Sequence, residues 1–308
     1  MIIADYDLVI IGGGPAGLTA GLYSARARLN TILIEQAITG GQVMITDWVE
    51  NYPGFPKGIT GMELVRNMTE QAQEFGLKIE YDQVLSIDNI SAPVKTLVLN
   101  NKTITAKAVI IATGASPRRL GIPGEAMFFG KGISSCATCD GPLYKDKVVV
   151  AVGGGDTAVQ ESVFLTKFAK KVYLVHRRDE LRAAKILQER ALANEKIEIL
   201  WDTVVTGVSG LTHVETVNLK NLKTGEAKTL GTDGLFVWIG ILPNADFLDD
   251  SIKKDEFGFI ITDAGMAASI PGIFAAGDIR KTPLRQIATA VGDAAIAAVS
   301  AEHYLETL

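Results

Sequence analysis

The sequence predicts an α/β fold built on two parallel-sheet units. Three observations carry that expectation: an apolar run ends in a glycine-rich turn near the start of the chain, the same grammar recurs near the middle, and each turn is followed by a second apolar run at one fixed distance. At 308 residues the length suits two domains, since a domain holds about 100–200 residues.

The first unit opens on Asp7-Leu8-Val9-Ile10-Ile11, an apolar run that reads as a buried parallel strand. Gly12, Gly14 and Gly17 of the following Gly12-Gly13-Gly14-Pro15-Ala16-Gly17 match G-x-G-x-x-G, and Leu18 to Arg28 is expected as the next helix. In such a turn the first glycine bends the chain and the second lets backbone approach a pyrophosphate. The third lets helix and strand pack closely, with the helix N-terminus facing the phosphates. The next strand, Thr31-Ile32-Leu33-Ile34, ends at Glu35, an acid placed to accept hydrogen bonds from an adenosine ribose. Glycine-rich turns are common, so the pattern alone is weak. The strand before it, the helix after it and the acid favour dinucleotide binding over a plain turn.

The second unit repeats this. Lys147 to Val152 leads into Gly153-Gly154-Gly155-Asp156-Thr157-Ala158, a G-x-G-x-x-A variant, and the strand Val172-Tyr173-Leu174-Val175 ends at His176. Gly12 to Glu35 and Gly153 to His176 both span 23 positions. The repeat predicts a second dinucleotide. At the acid position stands His176-Arg177-Arg178-Asp179, with Arg182 one turn further along an expected helix. A carboxylate there would repel a ribose 2′-phosphate by several kcal/mol at an effective dielectric of about 20. Arginines instead offer charge-assisted, often bidentate bonds. The second site is therefore expected to take NADPH and the first an unphosphorylated ribose. The plainer alternative is a solvated basic helix start, with Arg178 and Arg182 four apart on one face.

Bulk composition excludes other classes. With 47% hydrophobic and 21% charged residues the chain can build a core, so neither disorder nor a disulfide scaffold is needed. A net charge of −5 argues against a nucleic-acid partner. No run approaches the ~18 apolar residues of a membrane helix. The start Met1-Ile2-Ile3-Ala4-Asp5 has no basic region, so no secretory leader is expected. Two cysteines in so long a chain suggest a reducing, cytoplasmic setting.

Further stretches carry a family resemblance. They are GGGPAG at 12–17, GGQ at 40–42, ENYPGFP at 50–56, ATG at 112–114, CATCDG at 136–141, GGGDTA at 153–158, HRRDELRA at 176–183 and FAAGDIRKTPLRQIATAVGDAA at 274–295. In these motifs the chain resembles the low-molecular-weight bacterial thioredoxin reductases over essentially its whole length. The resemblance implies two Rossmann-like, three-layer FAD/NAD(P)-binding domains, with the NADPH domain (116–245) inserted into a discontinuous FAD domain (1–115 and 246–308). It implies FAD on Gly12, Gly14, Pro15, Ala16, Gly17, Glu35, Gln36, Gly41, Gln42, Asn51, Val84, Ala112, Gly114, Gly277, Asp278, Arg285, Gln286 and Ile287. It implies NADPH on Gly153, Gly155, Asp156, Thr157, Ala158, His176, Arg177, Arg178, Arg182 and Ile241. A homodimer and a thioredoxin or thioredoxin-like partner follow from the same resemblance. The sequence supports the insertion independently: Ala108 to Gly114 reads as a strand closing one unit, and Gly272 to Asp278 as a later strand delivering an acid at its end. Read by themselves, Asp278 and Asn51 are turn residues. The chain departs from the family pattern at Gln160-Glu161, at Asn244-Ala245 and at Trp238, a large aromatic in FVWIGILPN.

Both cysteines lie in Ser135-Cys136-Ala137-Thr138-Cys139-Asp140. A structural zinc site usually needs four N or S ligands. The histidines are only His176, His213 and His303, so a closed metal site is not expected. A clip closing so short a loop contributes only about 2 kcal/mol, against about 4.7 for a 100-residue loop. A redox dithiol remains. Asp140-Gly141-Pro142 is a good turn signal, and the family resemblance assigns Asp140 as the general acid/base for the dithiol.

By that resemblance NADPH gives hydride to FAD, the flavin reduces the Cys136–Cys139 disulfide, and the dithiol reduces a partner disulfide. Cys139 is implied to lie nearer the flavin and Cys136 to attack the partner. Dithiol and NADPH fingerprint belong to one domain, so they are expected to share one flavin by rotation about connectors near 115–120 and 240–247. Ferredoxin- or flavodoxin-NADP reductases of similar architecture lack the cysteine pair. The flavoprotein partner of a peroxiredoxin carries an extra N-terminal redox domain, whereas here the fingerprint begins close to Met1. A non-enzymatic flavin scaffold fits poorly with both an intact dithiol and an intact arginine cluster.

Overall fold

A computed structural model describes residues 3–46, 48–49 and 51–308, so Glu50 of the ENYPGFP motif lies outside the described residues. The chain divides into two compact units, Met1–Ser116 with Leu242–Leu308, and Pro117–Ile241. Both have the α/β, parallel-strand character expected from the sequence.

In the first unit the strand Tyr6–Ile11 pairs in parallel with Thr31–Glu35 on one side and Thr103–Ile111 on the other. Lys78–Tyr81 extends the sheet beyond Thr31–Glu35. The long strand Thr103–Ile111 splits its far side. Its C-terminal half takes Ile273–Ala275 in parallel, and its N-terminal half takes Lys95–Leu99 antiparallel, which in turn pairs with Val84–Asp88. Side chains alternate faces along a strand, and the central strands use both. Leu8, Ile10, Leu33, Ala108 and Ile110 pack into one core with the helices Pro15–Arg26 and Ile287–Glu306. Val9, Ile11, Ile32, Ile34, Val109 and Ile111 enter a second core with Leu97, Leu248 and Ile260. The C-terminal helix meets the first core through Ala290, Ala294, Ala297, Ala298 and Ala301, a face small enough for close approach.

The second unit carries a five-stranded parallel sheet. Its order is Ile197–Leu200, Lys171–Val175, Val148–Gly153, Gly234–Trp238, Ile133–Ser134. The helices Asp156–Leu165 and Lys185–Leu192 belong to one core with Val149, Ala151 and Phe236. An antiparallel sheet of Thr203–Ser209, Thr216–Asn221 and Ala227–Gly231 covers the other core, around Val150, Val152 and Leu235.

Two local expectations change. The first helix begins at Pro15 rather than Leu18. Proline suits that place because its fixed φ is helical and its missing N–H would be unsatisfied anyway. The segment Arg177–Ala184 is not the start of a helix, which begins only at Lys185. Instead Arg182 and Ala183 donate their N–H groups to Gly154 O (2.7 and 3.1 Å), and Ala184 donates to Asp156 Oδ1 (2.7 Å). Bonds to the fingerprint turn satisfy donors that a helix would have used, and Leu181 and Ala183 are buried as a result.

Candidate active site

The first glycine turn sits at the ends of the central strands of unit one. Gly12 has φ +104°, and a Cβ there would lie 2.6 Å from Ala112 O, so only glycine fits. A Cβ on Gly17 would strike Gly12 O at 1.7 Å, which is the close helix–strand contact expected of the third glycine. Over Gly14 there is nothing within 4 Å, leaving room for a phosphate. Glu35 accepts Gly13 N–H through Oε2 (2.6 Å) and Ala37 N–H through Oε1 (3.1 Å). A carboxylate has about four acceptor positions, so two remain for ribose hydroxyls. Gln36 beside it is exposed.

Gly41 and Gly277 pack against this turn, and the other expected residues are engaged elsewhere in the same unit. A Cβ on Gly41 would lie 3.5 Å from Gly14 Cα, and one on Gly277 would lie 3.1 Å from the Ala16 side chain. Gln42 Nε2 donates to Ala115 O (3.2 Å), and Asn51 Nδ2 donates to Gln286 Oε1 (2.9 Å). Gly114 adopts φ +67° and its carbonyl accepts Asn244 N–H. Pro15 opens the first helix and Ile287 the last, while Val84 is buried at the start of its strand.

Asp278 stands in the short turn Gly277–Ile279 that follows the strand Ile273–Ala275. Burial pushes its pKa up to about 6; Arg285 opposes the shift and Asp293 adds to it. Arg285 lies over the Phe259 ring (4.2 Å), and its Nε is buried with no hydrogen-bond partner among the described residues. A raised carboxyl and an orphaned guanidinium nitrogen, beside an open glycine turn, fit a large polar ligand such as FAD. Asp293, unforeseen in the sequence, steadies this turn by accepting from Gly277 N–H and Arg280 Nη1, each at 3.3 Å.

A raised acid pKa has a stability consequence. The folded chain keeps a proton on Asp278 that the unfolded chain releases near pH 4, so this contribution is present below pH 4 and lost as pH rises through about 6. Asp278→Asn is therefore expected to stabilise flavin-free protein by about 2–3 kcal/mol at pH 8 relative to pH 4, since each pKa unit is worth about 1.4 kcal/mol. Urea unfolding at the two pH values measures it; equal effects at both would show that Asp278 titrates normally.

The second glycine turn is built alike. A Cβ on Gly153 would meet the Ala158 Cβ and Trp238 O at 2.5 Å, and the space over Gly155 is open. Thr157 is exposed at the start of the helix, and Asp156 is engaged with the Ala184 backbone. His176 is buried, whereas the arginines that follow it are exposed. Its imidazole is buried under Gly154, whose added Cβ would meet the ring at 2.1 Å, and Nε2 bonds Glu180 O (3.0 Å). Burial lowers its pKa, with Arg178 and Arg182 adding to the effect against the Glu180 and Gly153 carbonyls, which favours the uncharged ring under the turn. Arg177, Arg178 and Arg182 are exposed, with no carboxylate paired to them among the described residues. The nearest competing acid, Asp179, is taken by Lys223 Nζ at 2.9 Å, and Lys223 also reaches Asp202 at 3.1 Å. Lys223, 44 residues from Asp179, left no signal in the sequence. Ile241 is exposed at the end of this unit.

Cys136 and Cys139 form a disulfide, with Cα atoms 5.3 Å apart. Ala137–Asp140 is one short helical turn that follows Cys136 and runs directly into the 3-10 turn Gly141–Tyr144. Both cysteines and Asp140 are half-buried. Cys136 N–H donates to Ser134 Oγ (3.0 Å), and Thr138 Oγ1 lies 3.4 Å from Cys136 Sγ, where its hydroxyl can donate to a thiolate after reduction. Glu161, the acid of the Gln160-Glu161 pair, accepts the Ala137 N–H, and burial raises its pKa. Among the described residues no cluster of His, Cys, Asp and Glu could hold a metal ion.

Two fingerprinted parallel-sheet units, one of them bearing a C-x-x-C disulfide, define the pyridine-nucleotide type of disulfide oxidoreductase. The chain belongs to the pyridine nucleotide-disulphide oxidoreductase family, whose model matches residues 6–294. It is 48% identical over 307 residues to a thioredoxin reductase of Peptoclostridium acidaminophilum, covering 98% of this chain and 97% of that one. It is 46% identical over 304 residues to a thioredoxin reductase of Treponema pallidum, covering 99% and 98%. Among solved structures, thioredoxin reductase from Streptococcus pyogenes MGAS5005 superposes with a TM-score of 0.94 at 47% identity, covering 98% of this chain and 99% of that one.

Proposed function

We propose that this chain is an NADPH-dependent thioredoxin-disulfide reductase with FAD as its resident cofactor. The observation that carries the reading is the Cys136–Cys139 disulfide, set in the same compact unit as an arginine-flanked nucleotide turn. The full-length similarity to proteins named thioredoxin reductase supports it. FAD is assigned to residues 1–115 and 246–308, and NADPH to 116–245, on the residues named above. When bound, NADPH supplies a hydride and FAD relays the electron pair to the disulfide.

The chain's own residues do the rest. Two electrons and two protons open the Cys136–Cys139 bond to a dithiol. Cys136, as thiolate, attacks one sulfur of the thioredoxin disulfide and forms a mixed disulfide. Cys139 then attacks Cys136 Sγ, releasing the thioredoxin thiol and closing the original bond. Asp140 holds the proton exchanged with the departing thiolate. Because dithiol and nicotinamide site share residues 116–245, they take turns at one flavin by rotation of that domain. A cross-link that fixes the two domains is expected to stop turnover, and full activity of the cross-linked enzyme would rule the rotation out.

No helix among the described residues is long and apolar enough to cross a membrane. We place the enzyme in the cytoplasm as a homodimer, with thioredoxin as partner and neither nucleic acid nor membrane required. The deciding experiment is NADPH consumption by the flavin-loaded protein against a panel of thioredoxin-like partners. Turnover with a thioredoxin supports the reading; turnover only with a peroxiredoxin-type partner replaces it.

Asp140→Asn is expected to slow dithiol–disulfide turnover by about 10–100-fold while FAD stays bound, since a positioned acid/base contributes about 10²-fold or more. An unchanged steady-state rate ends that role for Asp140.

A further inference from the structure

Trp238, which the proposed reaction does not use, ends the strand Gly234–Trp238 and lies opposite Gly153 of the second fingerprint in the parallel register. Its indole Nε1–H donates to Ser135 O at 2.9 Å, on the residue directly before Cys136. Its ring stacks on Phe236, with centroids 5.5 Å apart and planes 23° from parallel. Phe236 is fully buried and meets Tyr144 edge-on at 5.1 Å. Tyr144 closes the 3-10 turn that follows the dithiol helix. Behind it, a Cβ on Gly234 would lie 2.3 Å from the Tyr144 ring, so the strand is pressed against that tyrosine.

These contacts form one aromatic column, Trp238–Phe236–Tyr144, which reaches both flanks of the loop that carries the disulfide. We propose that Trp238 is a positioning residue for the dithiol: through Ser135 and the column it fixes where Cys136 and Cys139 stand. The placement has a chemical consequence. Opening the disulfide removes the covalent tie between the two sulfurs, and the loop must then hold a thiolate in line for attack without that tie. A donor on the Ser135 carbonyl and a stacked wall at Tyr144 limit the loop's freedom in the reduced state, when positioning matters most. Trp238 O also packs against Gly153, so the same residue ties the nucleotide turn to the dithiol loop within one rigid strand.

The inference rests on the reading of Cys136–Cys139 as an exchange couple, and its test separates the two. Trp238→Phe keeps an aromatic face and removes the N–H. In flavin-loaded enzyme it should lower kcat for thioredoxin reduction about three- to tenfold, the range expected for one well-placed hydrogen bond. It should also shift the dithiol–disulfide equilibrium constant against glutathione by a similar factor. Trp238→His, which returns a ring N–H, should recover at least half of either change. A change in thermal unfolding alone, with both readouts within twofold of the parent, overturns the proposal and leaves Trp238 as packing. So does a histidine variant no better than phenylalanine. If neither variant folds, the Trp238 indole N–H resonance of the parent enzyme carries the test: it should move when dithiothreitol reduces the disulfide, and a stationary resonance overturns the idea. Failure of the parent to reduce any thioredoxin would instead count against the proposed function, since the glutathione equilibrium reads the column without a protein partner.

Discussion

Replacing Cys139 with serine is expected to reduce thioredoxin turnover by on the order of 10³-fold or more, the scale seen when a covalent nucleophile is lost. NADPH should still bleach the flavin in that variant. The two single variants are not equivalent, and the difference tests the order of attack. In Cys139→Ser the Cys136 thiol still forms the mixed disulfide, but nothing remains to resolve it, so a covalent complex with thioredoxin accumulates. In Cys136→Ser the remaining Cys139 lacks the attacking partner, and trapping should be weak. Thr138 Oγ1 at 3.4 Å from Cys136 Sγ fits that assignment, because its hydroxyl can stabilise a thiolate at Cys136. Trapping through Cys139 instead would reverse the roles, and full turnover in either variant would remove the disulfide from the reaction.

The legible part of this molecule is the part written in local pattern. Two glycine turns, the apolar runs before them and the residues 23 positions on are short-range features, and each appears as a strand–turn–helix unit whose first glycine leaves no room for a Cβ and whose second stands open. What stayed hidden depends on contacts between distant segments. Lys223 neutralises Asp179 only because the Thr216–Asn221 and Ala227–Gly231 hairpin folds against the arginine loop. Trp238 reaches Ser135 across more than a hundred residues, and Asp293 secures a turn sixteen positions before it. The expected helix over the arginines failed for the same reason. Its N–H groups found the Gly154 carbonyl and the Asp156 carboxylate, partners that no periodicity encodes. His176 occupies the strand end that the repeat predicts and packs under Gly154 as Glu35 meets Gly13, so position and direction recur while the chemistry changes: Glu35 accepts Gly13 N–H, whereas the imidazole is buried and bonded to Glu180 O.

That rearrangement sharpens the case for the arginines and sets the second large prediction. In a regular helix Arg178 and Arg182 would be four apart on one face, a geometry equally suited to idle solvation. Here they belong to an irregular loop whose backbone is bonded to the nucleotide turn itself, through Arg182 N–H on Gly154 O. The guanidinium groups are exposed, and Lys223 rather than either arginine takes Asp179. Such a cluster is ready to meet a dianion without first breaking an ion pair. Each charge-assisted bond to a phosphate is worth about 1.5–3 kcal/mol. The double variant Arg178→Ala/Arg182→Ala is therefore expected to raise KM for NADPH by about 10²-fold or more, while KM for NADH changes less than about threefold. The NADPH effect should shrink as salt rises, because exposed charges are screened within about 8–10 Å at physiological ionic strength. Steady-state kinetics with both nucleotides at two salt concentrations decides it. An equal loss for NADPH and NADH would mean that the loop only shapes the pocket, and the 2′-phosphate would then need another partner.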